Sequence, residues 1–104
     1  MPRIAFKMQL HPGQAEEYQR RHNAIWPELA DLLRETGIRD YSIFLDEATH
    51  ALFGVLDIEQ PANLDELPGH PVMQRWWAYM ADIMETNPDH SPVTVSLTEV
   101  FHLP

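Results

Sequence analysis

Apolar spacing in this chain switches from a period of two to a helical period and back, twice, and that alternation leaves few folds open. Ile4, Phe6, Met8 and Leu10 alternate with Ala5, Lys7 and Gln9, as in a strand with one buried face. His11-Pro12-Gly13 ends it. From Ala15 the apolar side shifts to Tyr18, His22, Ile25, Trp26, Leu29, Leu32 and Leu33, while Glu16, Glu17, Arg20, Asp31 and Glu35 take the wet side of a helix. Pro27 falls inside that run. It removes a donor and clashes with the carbonyl of Asn23, so a kink or a broken turn is expected just beyond His22. Gly37 is a natural terminator.

A second strand is expected over residues 38–45, with Tyr41, Ile43 and Leu45 on one face and Ser42 and Phe44 on the other. Residues 46–50 read as a hairpin connection, and residues 51–58 as a third strand, apolar on both faces, that wants cover on both sides. Residues 60–69 read as a loop with a turn of helix around Leu64. Helical spacing then runs from Val72 to Asn87, and a last strand covers residues 93–101. Strand, helix, strand, strand, helix, strand is the ferredoxin-like βαββαβ order of an α+β fold, with both helices on one face of a four-stranded antiparallel sheet. The apolar residues left on the opposite face predict a homodimer packed sheet against sheet.

At 104 residues the chain fits one domain, residues 1–104, with a modest core. Its formal net charge of -9 argues against nucleic acid and anionic membrane surfaces as partners and suits a neutral ligand. There is no cysteine, hence no disulfide, thiolate ligand or cysteine nucleophile. The six histidines show no metal-ligand spacing, and no Gly-rich phosphate loop or GxSxG elbow is present, so neither metal nor cofactor is expected. MPRIAFKMQL does not read as a secretory signal, and no stretch approaches a membrane span, which predicts a cytoplasmic protein.

His22 is the candidate of greatest chemical interest. With an ordinary pKa of about 6.5 it can give or take a proton near neutrality. On an apolar face, one turn after Tyr18, it is either a core histidine bonded to a carbonyl or a proton-transfer group at a pocket wall. Tyr18 and Tyr41 can each grip a hydroxyl or simply sit at the core edge. Trp76 and Trp77, adjacent on a helix, diverge by about 100°, so one is expected to anchor the core and the other to face a pocket or a partner. Arg20 and Arg21 read as solvated or paired with acidic neighbours. Asp89 and His90 fall in a turn that spacing does not place relative to His22.

The runs YQRRHNAIWPEL (residues 18–29) and QRWWAYM (residues 74–80), the turn NPDHSP and the ending EVFHLP together resemble the L-rhamnose mutarotase family, over essentially the whole chain. That resemblance implies a dimeric α+β barrel interconverting the α and β anomers of L-rhamnose. By position it makes His22 the proton donor and Tyr18, Tyr41, Trp76 and Trp77 sugar contacts. Two other readings of the residues stand beside it. One is an α+β barrel oxygenase acting on a flat aromatic compound; the other is a non-catalytic small-molecule-binding module with a structural His22.

Overall fold

The structure, a computed structural model, describes residues 1–104. Its elements are β1 (Arg3–Gln9), α1 (Ala15–Asn23), α2 (Pro27–Glu35), β2 (Ile38–Asp46), β3 (Ala51–Ile58), a 3-10 helix (Pro61–Gly69), α3 (Pro71–Met80) and β4 (Val95–Leu97). The sheet order is β2-β3-β1-β4, antiparallel throughout, which is the ferredoxin-like arrangement expected from the sequence. Met8, Leu10, Leu52, Leu56 and Ile58 on the sheet close against Leu29, Met73, Trp76 and Met80 on the helices to form the core.

The bend expected at Pro27 is a complete break. A residue before proline is pushed out of the helical region, and Trp26 accordingly sits at φ -62 and ψ 131, with Pro27 opening α2. Two helices therefore occupy the span that periodicity reads as one. Gly37 ends α2 at φ +96, as expected.

Three expectations need correction. The segment 61–69 is a nine-residue 3-10 helix, not a loop with one turn, and it buries Leu67. The helix expected to reach Asn87 stops at Met80. Ile83 and Met84 are buried at helical spacing, but the backbone around them pairs with the end of β1: His11 N–H donates to Ile83 O and Glu85 N–H to Gln9 O, both at 2.9 Å. The backbone groups there find their partners at the end of β1 instead of in another turn of helix. The last strand spans three residues instead of nine, pairing only with Ala5, Phe6 and Lys7.

Register assigns the outer, helix-free face of the sheet. Lys7 opposes Val95, Ala5 opposes Leu97, and Phe44 opposes Phe53. On that face Phe44 is 64% exposed, and the tail beyond β4 leaves Val100 92% exposed.

Candidate active site

Helix α1 carries the two residues that matter first. Four positions apart, they lie one above the other on its inner face. The Tyr18 and His22 rings stack with centroids 4.3 Å apart and 27° between planes. His22 Nδ1 stands 3.0 Å from the backbone carbonyl oxygen of Tyr18. A carbonyl only accepts, so the neutral ring carries its proton on Nδ1 and presents a free lone pair at Nε2. Burial pushes the His22 pKa below its ordinary value, with the bond to the Tyr18 carbonyl opposing the shift.

Behind His22 stands α3. Trp76 meets the imidazole edge-on at 5.4 Å and 90°, and is itself 6% exposed. Trp26 meets Trp76 edge-on at 5.1 Å, and Tyr79 stacks on Trp26 at 5.7 Å. Trp76 is thus the core anchor of the adjacent pair. Trp77 packs half-buried against the core and lies outside this cluster of rings.

Tyr41 arrives from β2 through a bulge. Ile38 is buried against Ile58, and three residues further along a regular strand Tyr41 would fall on the outer face. The register instead shifts between Arg39 and Ser42, with Asp40 at φ +50, so that Tyr41, Ile43 and Leu45 share the helix side with Ile38. There Tyr41 meets the Phe6 ring at 6.2 Å. Phe6 lies across the strand residue opposite it, Gly54, where any Cβ would overlap its ring. Tyr41 keeps 36% of its surface open, yet its hydroxyl is deep enough that burial pushes the phenol up to about 12. Tyr18 is raised further, mainly by burial and also by the nearby Tyr41 hydroxyl. Both phenols therefore stay protonated near neutrality. They can donate to and accept from a ligand hydroxyl, but neither is a base there.

Arg21 was read from sequence as a surface or paired residue. It is paired, but it is also buried, 8% exposed, with both Glu17 and Asp82 on its guanidinium. Arg20 donates to Glu17 from outside, and the two arginines, Arg20 foremost, pull that carboxyl down to about 2. Asp89 accepts from the Ser91 backbone within its own exposed turn. Spacing puts Trp26 on the buried stripe but gives it no part in the site, and it singles out neither Tyr79 nor Asp82. For Tyr79 a signal existed, since it falls three residues after Trp76.

No buried side-chain nitrogen or oxygen lacks a partner. No group of three or more His, Asp or Glu side chains converges in a way that could hold a metal ion. No helix is long and apolar enough to cross a membrane. A hollow of about 320 Å³ lies on the outer face between Arg3, Ser42, Phe44 and Val55, away from His22. Its acid–base groups are the carboxylates of Asp40 and Asp57, the latter paired with Arg3, whereas the α1 side offers a neutral imidazole.

Comparison with known proteins identifies the family. The family described as L-rhamnose mutarotase matches residues 3–103. The chain is 62% identical to an L-rhamnose mutarotase of Jannaschia sp. (strain CCS1) over 104 residues, covering 100% of both, and 62% identical to one of Sinorhizobium fredii, covering 99% of both. The crystal structure of an L-rhamnose mutarotase from Formosa agariphila superposes with a TM-score of 0.94 at 43% identity, covering 100% of both chains. An antibiotic biosynthesis monooxygenase reaches a TM-score of 0.61 at 14% identity, over 96% of this chain and 99% of that one, a likeness of fold alone. With its whole length matched at such identity, this chain belongs to the L-rhamnose mutarotase family.

Proposed function

We propose that this protein interconverts the α and β anomers of L-rhamnose by acid–base opening and closing of the pyranose ring, with His22 as the group that moves the proton. The observation that carries the reading is the bond from His22 Nδ1–H to the Tyr18 carbonyl, which leaves Nε2 as the reactive nitrogen. Nε2 takes the proton from the anomeric hydroxyl. The bond from C1 to the ring oxygen then breaks, C1 becomes the aldehyde, and the imidazolium donates the proton to the ring oxygen. Rotation about the C1–C2 bond and the reverse steps give the other anomer. Both oxygens are bonded to C1, so one nitrogen can serve both, and the sum of protons is unchanged.

A depressed pKa suits this role. The imidazole rests neutral, ready to accept, and its protonated form is the stronger acid when the ring oxygen needs a proton. A positioned group of this kind is worth roughly 10²–10⁴-fold, or about 3 to 5 kcal/mol of barrier. The Tyr18 and Tyr41 hydroxyls, kept neutral by burial, hold sugar hydroxyls. Trp76 backs the imidazole from the core, and Trp77, the less buried of the pair, has the surface left to give the methyl-bearing edge of the sugar. The chemistry needs no cofactor.

The protein acts in this reading as a cytoplasmic homodimer that closes the outer sheet faces of two copies into an α+β barrel. The exposed Phe44, Val95 and Leu97 support that surface, because a chain that buries only 18 of its 104 residues gains from covering a second apolar face. Saturation-transfer NMR on L-rhamnose tests the function. Wild type accelerates exchange between the anomeric protons, and His22→Ala loses the acceleration while staying folded. Equal exchange by the two proteins would remove His22 from the mechanism, and no acceleration by wild type would remove the activity.

A further inference from the structure

Helix α1 is a weak element by itself. It has nine residues, its N-cap residue Gln14 makes no side-chain capping bond, and it is separated from α2 by the break before Pro27. Only two of its residues are buried, Tyr18 and Arg21. His22 therefore depends for its position on what those two side chains grip, and Arg21 is its immediate neighbour in the chain.

The grip of Arg21 is directional. Its Nε donates to Glu17 on its own helix at 2.6 Å. Nη1 donates to the backbone carbonyl of Tyr79 at 2.7 Å and to Asp82 Oδ1 at 2.8 Å, and Nη2 reaches Asp82 Oδ2 at 3.3 Å. The guanidinium carbon also lies 4.4 Å above the Tyr79 ring. The carbonyl it satisfies belongs to the last turn of α3, where helical carbonyls lack partners and a cation is favoured. One planar fork thus ties α1 to the C-terminal end of α3 in both distance and rotation. Trp76, which faces the edge of His22, sits on that same α3.

An apolar side chain of equal volume would bury as well, and an ion pair whose buried member is replaced in this way often adds nothing to stability. What an apolar anchor lacks is orientation. We infer that Arg21, through its fork on Asp82 and the Tyr79 carbonyl, is a positioning residue that fixes the imidazole of His22 between Tyr18 and Trp76 for proton transfer. The inference rests on the mutarotase reading above, and its test separates the two.

Wild-type anomer exchange is measured first, because its absence dismisses the activity and not the clamp. Two variants follow, Arg21→Met, which keeps a long buried stem, and Asp82→Asn, which changes an exposed carboxylate with no role in the core. Asp82→Asn alone decides the matter if Arg21→Met does not fold. The expected result is a fall in kcat of about 10- to 100-fold for Arg21→Met, and a smaller fall for Asp82→Asn. KM changes by less than kcat in both, because Tyr18 and Tyr41 still hold the sugar. Arg21→Lys recovers only part of the rate, since a point charge cannot replace the fork. The second readout does not use activity. Nuclear Overhauser contacts between the His22 ring protons and the Trp76 indole, whose centroids stand 5.4 Å apart, are strong in wild type and weakened in the variants, while the Nδ1–H tautomer, held by the Tyr18 carbonyl within α1, stays the same. Folded variants that keep the wild-type kcat overturn the inference. So do variants whose kcat falls while the contacts between His22 and Trp76 keep their wild-type strength, because Arg21 would then act by another route.

Discussion

On the helix-covered side of the sheet, His22, Tyr18 and Tyr41 sit among apolar neighbours, whereas on the outer side Phe44, Val95 and Leu97 stand exposed next to the Arg3–Asp57 ion pair. The first side carries polarity where burial makes it expensive, yet it leaves no buried polar side-chain atom without a partner. The second carries apolar area where water makes it expensive and has nothing in the chain to cover it. A site that is satisfied within one subunit differs in kind from a surface that asks for another. On the proposed reading, chemistry and assembly are divided between the two faces, and substitutions can address them separately.

The strongest way to break that division is to charge the outer face. Phe44→Glu would place the new carboxylate twice at the proposed two-fold sheet-to-sheet contact, since each copy would supply the same patch. Like charges facing each other there cost on the order of 3 kcal/mol, a hundredfold or more in the dissociation constant. Sedimentation velocity is expected to show wild type as a dimer and the variant shifted toward monomer at micromolar concentration. A variant that remains as dimeric as wild type contradicts the assignment of this face.

The next largest effect sharpens the comparison from the other side. Gly54→Ala inserts a methyl group into space held by the Phe6 ring, and Phe6 abuts Tyr41. Overpacking of this kind costs about 1–3 kcal/mol, and the displaced ring is expected to disturb the Tyr41 hydroxyl. Thermal unfolding and anomer exchange should both suffer, with the dimer unaffected. Gly69→Ala, where an added Cβ meets nothing within 4 Å, serves as the matched control. If Gly54→Ala behaves like the control, the close approach of Phe6 has no mechanical role in the site.

Much of this was legible in the sequence where the signal is local. Strand alternation, the helical pairing of Tyr18 with His22, the break at Pro27 and the shared face of Tyr41, Ile43 and Leu45 all follow from spacing within a few residues. What sequence did not reveal was settled by partners far along the chain. Ile83 and Met84 keep helical spacing, but Gln9 and His11 claim the backbone around them. Asp40 carries no mark of the bulge that brings Ile38 and Tyr41 to one face. Arg21 reads only as solvated or paired with an acidic neighbour because Asp82, its partner just beyond the end of α3, lies 61 positions away. Trp76 and Trp77 are chemically identical, and only packing against His22 and Trp26 tells them apart.

The smallest expected effect concerns the one titrating group on the helix-covered side that moves near neutral pH. Burial disfavours the charged imidazole, so the His22 pKa in the folded protein lies below the value of about 6.5 it regains on unfolding. As pH falls below that value, the unfolded chain takes up the proton before the folded one does. The stability linked to His22 is therefore fully present above about pH 6.5 and declines as pH drops toward the folded pKa. The carboxyls of Glu17 and Asp82 are held low by their arginines, so their own losses come at more acid pH. Urea unfolding of wild type and His22→Gln at several values between pH 5 and 7.5 isolates the effect, with a shallower decline expected in the variant. Parallel curves for the two proteins would mean that the imidazole is as well hydrated in the folded state as in the unfolded one. In that case the helix-covered face would not hold its proton-transfer group in the sheltered state that distinguishes it from the open face.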